Sequence, residues 1–117
     1  MEAKKKFFME CHLAGRMYHD ADEVWDKLKV GTLLQLVLDT DNRFDPNAVA
    51  VVYNDIEMDD DDVFLIGYIP RSDNETIAAF LEMGWNDAFE CRISRINADA
   101  HPENQIRLTI KIKRNKK

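Results

Sequence analysis

The sequence predicts a mostly β fold: a small six-stranded barrel with two helices, one of them short. Three observations lead there. Apolar residues alternate with polar ones over several short runs, the signature of half-buried strands. Clusters of Gly, Asn, Asp and Pro separate many of those runs and supply turns. Finally, 117 residues make one domain, too few to cover both faces of six strands with helices. Closing the sheet on itself removes its exposed edges with the parts available.

The elements follow in order. Residues 7–14 alternate, with Phe7, Met9, Cys11 and Leu13 on one face and Phe8, Glu10 and His12 on the other. Residues 19–28 read as a short helical turn with Val24, Trp25 and Leu28 apolar. Gly31 permits a turn into 33–38, where Leu34, Leu36 and Leu38 share a face. Residues 39–46 are rich in Asp and Asn, which hydrogen-bond their own backbone in turns. The third strand starts at Asn47 or Ala48 and runs to Tyr53; it is apolar almost throughout, so burial on both faces is expected. After a polar loop, residues 63–69 form a fourth strand, which Pro70 ends by removing a ladder donor. Ser72 stands three residues before Glu75, the capping-box spacing, and opens a helix that runs to about Met83. Ile77, Phe80 and Leu81 form its apolar stripe, and Gly84 terminates it. Residues 88–96 and 105–113 are the last two strands. No repeat or linker divides 1–117, so one domain is expected, with its core at about 7–113 and a basic tail at 114–117.

Composition narrows the functional classes. The hydrophobic fraction of 45% is ordinary for a globular chain. No run approaches the ~20 apolar residues of a membrane span. The start is positive at Lys4, Lys5 and Lys6, but Glu10 and His12 break the following segment, so it fails as a signal-peptide core. A cytoplasmic location is expected. Cys11 and Cys91 lie in separate apolar strands and read as reduced core residues. The formal net charge of −6 argues against indiscriminate nucleic-acid binding. That charge is concentrated, however. Six acids lie within 55–62, and without them the rest of the chain is formally neutral. Both ends are basic.

Metal and catalytic patterns are weak. Asp39, Asp41 and Asp45 have alternating acid spacing, but the glycine and terminal glutamate of a calcium loop are missing, so turn chemistry is the expected use. No histidine pair has zinc spacing. No nucleophile elbow, Cys/His pair or phosphate cradle accompanies a candidate base such as Asp45. The expected protein is a non-enzyme without cofactor or metal. The informative cluster is aromatic and polar. Phe44 sits among Asn42, Arg43 and Asp45, surroundings unlike deep core. Tyr68 lies on a strand beside Gly67, and its hydroxyl needs a partner. Arg71 stands at a strand-to-helix junction. Two aromatics flanked by amide, acid and cation suit one unstacked nucleobase: rings stack on its face, the amide reads its edge, and the cation takes a phosphate. A carboxylate there repels phosphate but accepts from a free sugar hydroxyl, which favours a strand end.

These residues also carry a family resemblance. Gly15-x-x-Tyr18, Gly31 before the Leu-rich strand, Asn42-Arg43-Phe44-Asp45-Pro46-Asn47-Ala48-Val49 and Ile66-Gly67-Tyr68-Ile69-Pro70-Arg71 resemble a HIRAN domain over residues 7–96. That module occurs at the N-terminus of some DNA-repair helicases and as a stand-alone bacterial protein. The resemblance implies a barrel related to the OB-fold, with two helices. In helicase-attached members the module captures the 3′ end of single-stranded DNA. On that resemblance, Tyr18 and Phe44 match the aromatics that sandwich the terminal base. Asn42 matches a base-contacting amide and Asp45 the acceptor of the 3′-hydroxyl. Tyr68 and Arg71 match phosphate-contacting positions, usually histidine and lysine. Some positions differ. Met17 replaces an arginine and Arg16 stands one place away; Phe44 replaces a tyrosine; Arg43 replaces a proline and adds a charge.

Two readings follow. The first is a non-enzymatic binder of single-stranded DNA that prefers a free 3′ end, using Tyr18, Asn42, Phe44, Asp45, Tyr68 and Arg71 with Arg43 and Arg16. Any helicase or nuclease working with it is expected to be a separate chain. The alternative is a protein-interaction or structural module, with a vestigial pocket or one for a different small ligand.

Overall fold

The computed structural model describes residues 4–16, 19–54 and 62–115. In chain order the elements are β1 (Lys5–His12), a 3-10 helix (Asp20–Lys27), β2 (Leu33–Leu38), β3 (Val49–Asn54), β4 (Val63–Tyr68), α1 (Glu75–Glu82), β5 (Phe89–Ile96) and β6 (Ile106–Lys113). The protein is therefore mostly β, with six antiparallel strands in one sheet and two helices. The strand order is β1-β6-β5-β2-β3-β4. The two end strands do not share a continuous ladder. They meet at a single bridge just beyond β1, where Ala14 and Tyr68 exchange two backbone hydrogen bonds of 2.9 Å. One bridge thus stands where the expected barrel would have a ladder.

Gly67 explains how that bridge is reached. A Cβ at Gly67 would lie 2.6 Å from the Ala14 carbonyl oxygen and 2.7 Å from a Leu13 methyl carbon. Only glycine lets the two backbones approach so closely. Under the bridge, Leu13, Val49, Val51, Ile66, Ile106 and Leu108 are all fully buried. The four residues Val49 to Val52 are buried without alternation, as their apolar run predicts. Cys11 and Cys91 are free and buried in this core. Burial pushes the Cys11 thiol up to about 11 and that of Cys91 further up, so both stay protonated and unreactive at neutral pH.

Two local expectations are corrected. The face assignment of β1 breaks at Phe8, where the register with β6 shifts between Phe7 and Met9. One extra residue in a strand inverts the parity upstream of it. Phe7 is therefore 65% exposed, while Phe8 packs on the core with its ring 5.2 Å from that of Phe89. The capping box also fails to form. Ser72 lies in a 3-10 turn, Arg71–Asp73, and α1 begins at Glu75 behind Asn74. Asn74 makes no side-chain cap; its Nδ2 is engaged elsewhere, as described below. The far end of α1 behaves as predicted, with Gly84 in the left-handed region at φ +89°. Ile77, Ala78 and Leu81 form the buried stripe; Phe80 is half-exposed and packs edge-on against Phe89.

Candidate nucleic-acid interface

The Asp/Asn-rich segment between β2 and β3 is a self-bonded turn. Asn42 Oδ1 accepts from the backbone N–H of Phe44 at 2.9 Å and of Asp45 at 3.0 Å. Asp39 and Asp45 cap their own turns, accepting from Asp41 N–H at 3.2 Å and Asn47 N–H at 2.9 Å. The acids at 39 and 45 thus serve as turn formers. With its backbone pinned by Asn42, Phe44 projects outward and is 86% exposed. The Asn42 amide oxygen is occupied by these two bonds, and its Nδ2 donors carry no hydrogen bond among the described residues.

Asp45 is held from two sides. Its Oδ1 takes the Asn47 amide, and its Oδ2 accepts from Asn74 Nδ2 at 2.8 Å. Asn74 is only 2% exposed and leads into α1. The start of the helix therefore orients the carboxylate of the turn. A carboxylate has roughly four acceptor positions, so two remain.

Tyr68, at the end of β4, donates its hydroxyl to Asp39 Oδ2 at 2.7 Å. That bond, with burial and the Asp39 charge behind it, pushes the phenol up to about 12. The Tyr68 ring lies 5.3 Å from the imidazole of His19, tilted by 57°. Pro70 ends the strand, and Arg71 follows, exposed and with no ion pair among the described residues. A shallow cleft of about 210 Å³ gathers Asn42, Asp45, Tyr68 and Arg71 with Ala14 and Gly15. Four of the eight sequence-nominated residues thus share one cavity, although 29 residues separate Asp39 from Tyr68 and Asp45 from Asn74.

The other four fall differently. Phe44 and Arg43 are exposed on the same turn, outside the cleft lining. Arg16 is buried instead of facing the cleft. Its guanidinium lies 4.4 Å from the Trp25 ring centroid and donates to Asp22 Oδ1 at 2.8 Å. Tyr18, the second nominated stacking ring, lies outside the described residues, as do Met17 and the acids from 55 to 61. Three participants escaped the sequence reading: Asp39 as the partner of Tyr68, Asn74 as the brace of Asp45, and His19 beside the Tyr68 ring. The need of Tyr68 for a hydroxyl partner was legible; which acid supplies it was not.

The HIRAN domain family model matches residues 6–114, nearly the whole chain. The chain belongs to the HIRAN family. A crystal structure of a protein from Lactobacillus plantarum, a Northeast Structural Genomics Consortium target, superposes on this HIRAN domain with a TM-score of 0.72. It is 18% identical in sequence, and the match covers 92% of this chain and 94% of that one. At that identity the likeness establishes the fold alone. No curated protein matches this HIRAN domain. Among the described residues, no three His, Cys, Asp or Glu side chains converge as metal ligands, and no helix is long and apolar enough to cross a membrane.

Proposed function

We propose that this HIRAN domain is a non-enzymatic binder of single-stranded nucleic acid that takes a free 3′ end of DNA. One observation carries the reading. Asn42, Asp45, Tyr68 and Arg71 line a single cleft beside an aromatic ring that is 86% exposed. Exposing Phe44 has no structural return, whereas a nucleobase stacked on it would cover the ring. The free Nδ2 of Asn42 supplies an edge-reading donor. Asp45, oriented by two donors, keeps acceptor capacity for a 3′-hydroxyl and would repel a 3′-phosphate. Because the Tyr68 hydroxyl is already committed to Asp39, phosphate contact falls to Arg71 and Arg43. In the same reading, the sheet whose ends meet at Ala14 and Tyr68 is a variant of an OB-related barrel.

Fluorescence anisotropy with oligonucleotides ending in a 3′-hydroxyl or a 3′-phosphate tests the proposal. The hydroxyl end should bind more tightly, and Asp45→Ala should abolish the difference. Phe44→Ala should weaken binding by about 1–3 kcal/mol, the worth of one base stack, with the melting temperature unchanged because the ring is exposed. Equal affinity for the two ends overturns end recognition.

A further inference from the structure

We infer that a second anion site, fitted to a phosphate group of the bound strand, lies between β5 and β6 at Arg95 and Arg107. This inference rests on the nucleic-acid reading for its ligand, and on separate geometry for the site itself. Arg95 and Arg107 are direct cross-strand partners. Like charges placed opposite each other destabilise a sheet. The pairing is created by a bulge, for the β5–β6 register shifts between Ile93 and Arg95, leaving Ser94 as the extra residue. In a regular ladder Ser94 would face Arg107 and Arg95 would face Ile106. The bulge turns Arg95 outward beside Arg107, the kind of re-aiming that bulges perform near functional sites.

The two arginines line a separate cavity of about 280 Å³, together with Asn97, Asn104 and Ala100. Its polar lining is rich in donors. Arg95 forms no ion pair among the described residues, and Arg107 commits only its Nε, to Glu10 Oε1 at 2.8 Å. The Nη groups of Arg107 stay available. The Asn97 oxygen is taken by the Asp99 N–H at 3.1 Å, which leaves its amide donors. Among the described residues, no carboxylate lines the cavity. Planar guanidinium groups with amide donors around a small hollow match the oxygens of a phosphate. The site is also joined to the cleft. The turn Pro102–Asn104 reaches back through Glu103 Oε1, which accepts from Gly15 N–H at 2.9 Å, and Gly15 lines the cleft. A strand whose end sits against Asp45 thus has a cationic stop further along the same end of the sheet.

The test uses the intact protein and two probes. Inorganic phosphate, followed by the Nε–H signals of arginine in NMR, should shift both Arg95 and Arg107, and Arg95→Ala should remove the Arg107 shift. Arg95→Ala should also lower the slope of log affinity against log salt by about 0.7 for a long oligonucleotide, the effect of one lost single-strand phosphate contact. Affinity for a dinucleotide should not change. Arg95→Lys should retain the salt slope. If phosphate moves neither signal, the anion site is refuted. If phosphate moves both but the slope is unchanged in Arg95→Ala, the cavity binds anions and the strand path is refuted. If phosphate moves both and no oligonucleotide binds at all, the anion site stands and the nucleic-acid reading falls.

Discussion

Tyr68 and Asp39 set the chemistry of the cleft. The phenol hydroxyl donates its hydrogen bond to the carboxylate, so its oxygen offers an acceptor to a ligand where a histidine would present a donor. The folded phenol titrates at about 12 against an ordinary value of 10. Because the folded value is the higher one, its contribution to stability is whole below pH 10 and is lost as pH rises from there through about 12. In an NMR titration, Tyr68 should stay protonated past pH 11 in the wild type, and Asp39→Asn should return it toward 10. A wild-type Tyr68 that ionises near 10 would disprove the bond. From sequence, the demand of this hydroxyl for a partner was legible, and so was the exposure of Phe44, since both depend on residue type and near neighbours. The identity of Asp39 was not, because the pairing depends on how β2 and β4 flank β3.

At the scale of elements, β4 and the continuation of β1 are joined through Gly67. Gly67→Ala would press a methyl against the Ala14 carbonyl, a backbone atom that moves only if the bridge opens. Overpacking of this kind costs about 1–3 kcal/mol. Urea unfolding should show that loss as a lower midpoint, and binding should fall with it, because Ala14 lines the cleft. An unchanged midpoint would mean that the bridge contributes nothing. The start of α1 teaches a related lesson. Ser72 and Glu75 have the spacing of a capping box, yet the helix is docked by Asn74, whose buried amide turns to Asp45. Local cap chemistry lost to a tertiary hydrogen bond, and buried amides left unsatisfied cost about 1–3 kcal/mol, more than a typical cap supplies. Likewise, nothing in the alternation of 7–14 marks Phe8 as a bulge.

The whole molecule carries −6, while the proposed ligand is a polyanion. Replacing the four aspartates at 59–62 by asparagine takes the net charge to −2. Single-strand affinity should rise at low salt, and the advantage should fade as the Debye length shrinks toward ~3 Å at 1 M. A gain that persists at high salt would point to a direct contact instead of a long-range field. On the proposed reading, the negative sign would select against indiscriminate binding and leave Arg43, Arg71, Arg95 and Arg107 to act at short range.

Taken by itself, the sequence determined the number and order of the strands, the double burial of β3, the polar turn that exposes Phe44, and the family, because each is written in short-range pattern: two-residue periodicity, turn residues and contiguous motifs. Only the tertiary structure decided how the sheet's ends meet, that Asp45 is braced by Asn74, that Tyr68 is committed to Asp39, that Arg16 is buried against Trp25, and that a bulge sets Arg95 beside Arg107. These depend on register and on contacts between distant segments, and a single inserted residue in a strand is enough to reverse which side chains face the core and which face a ligand.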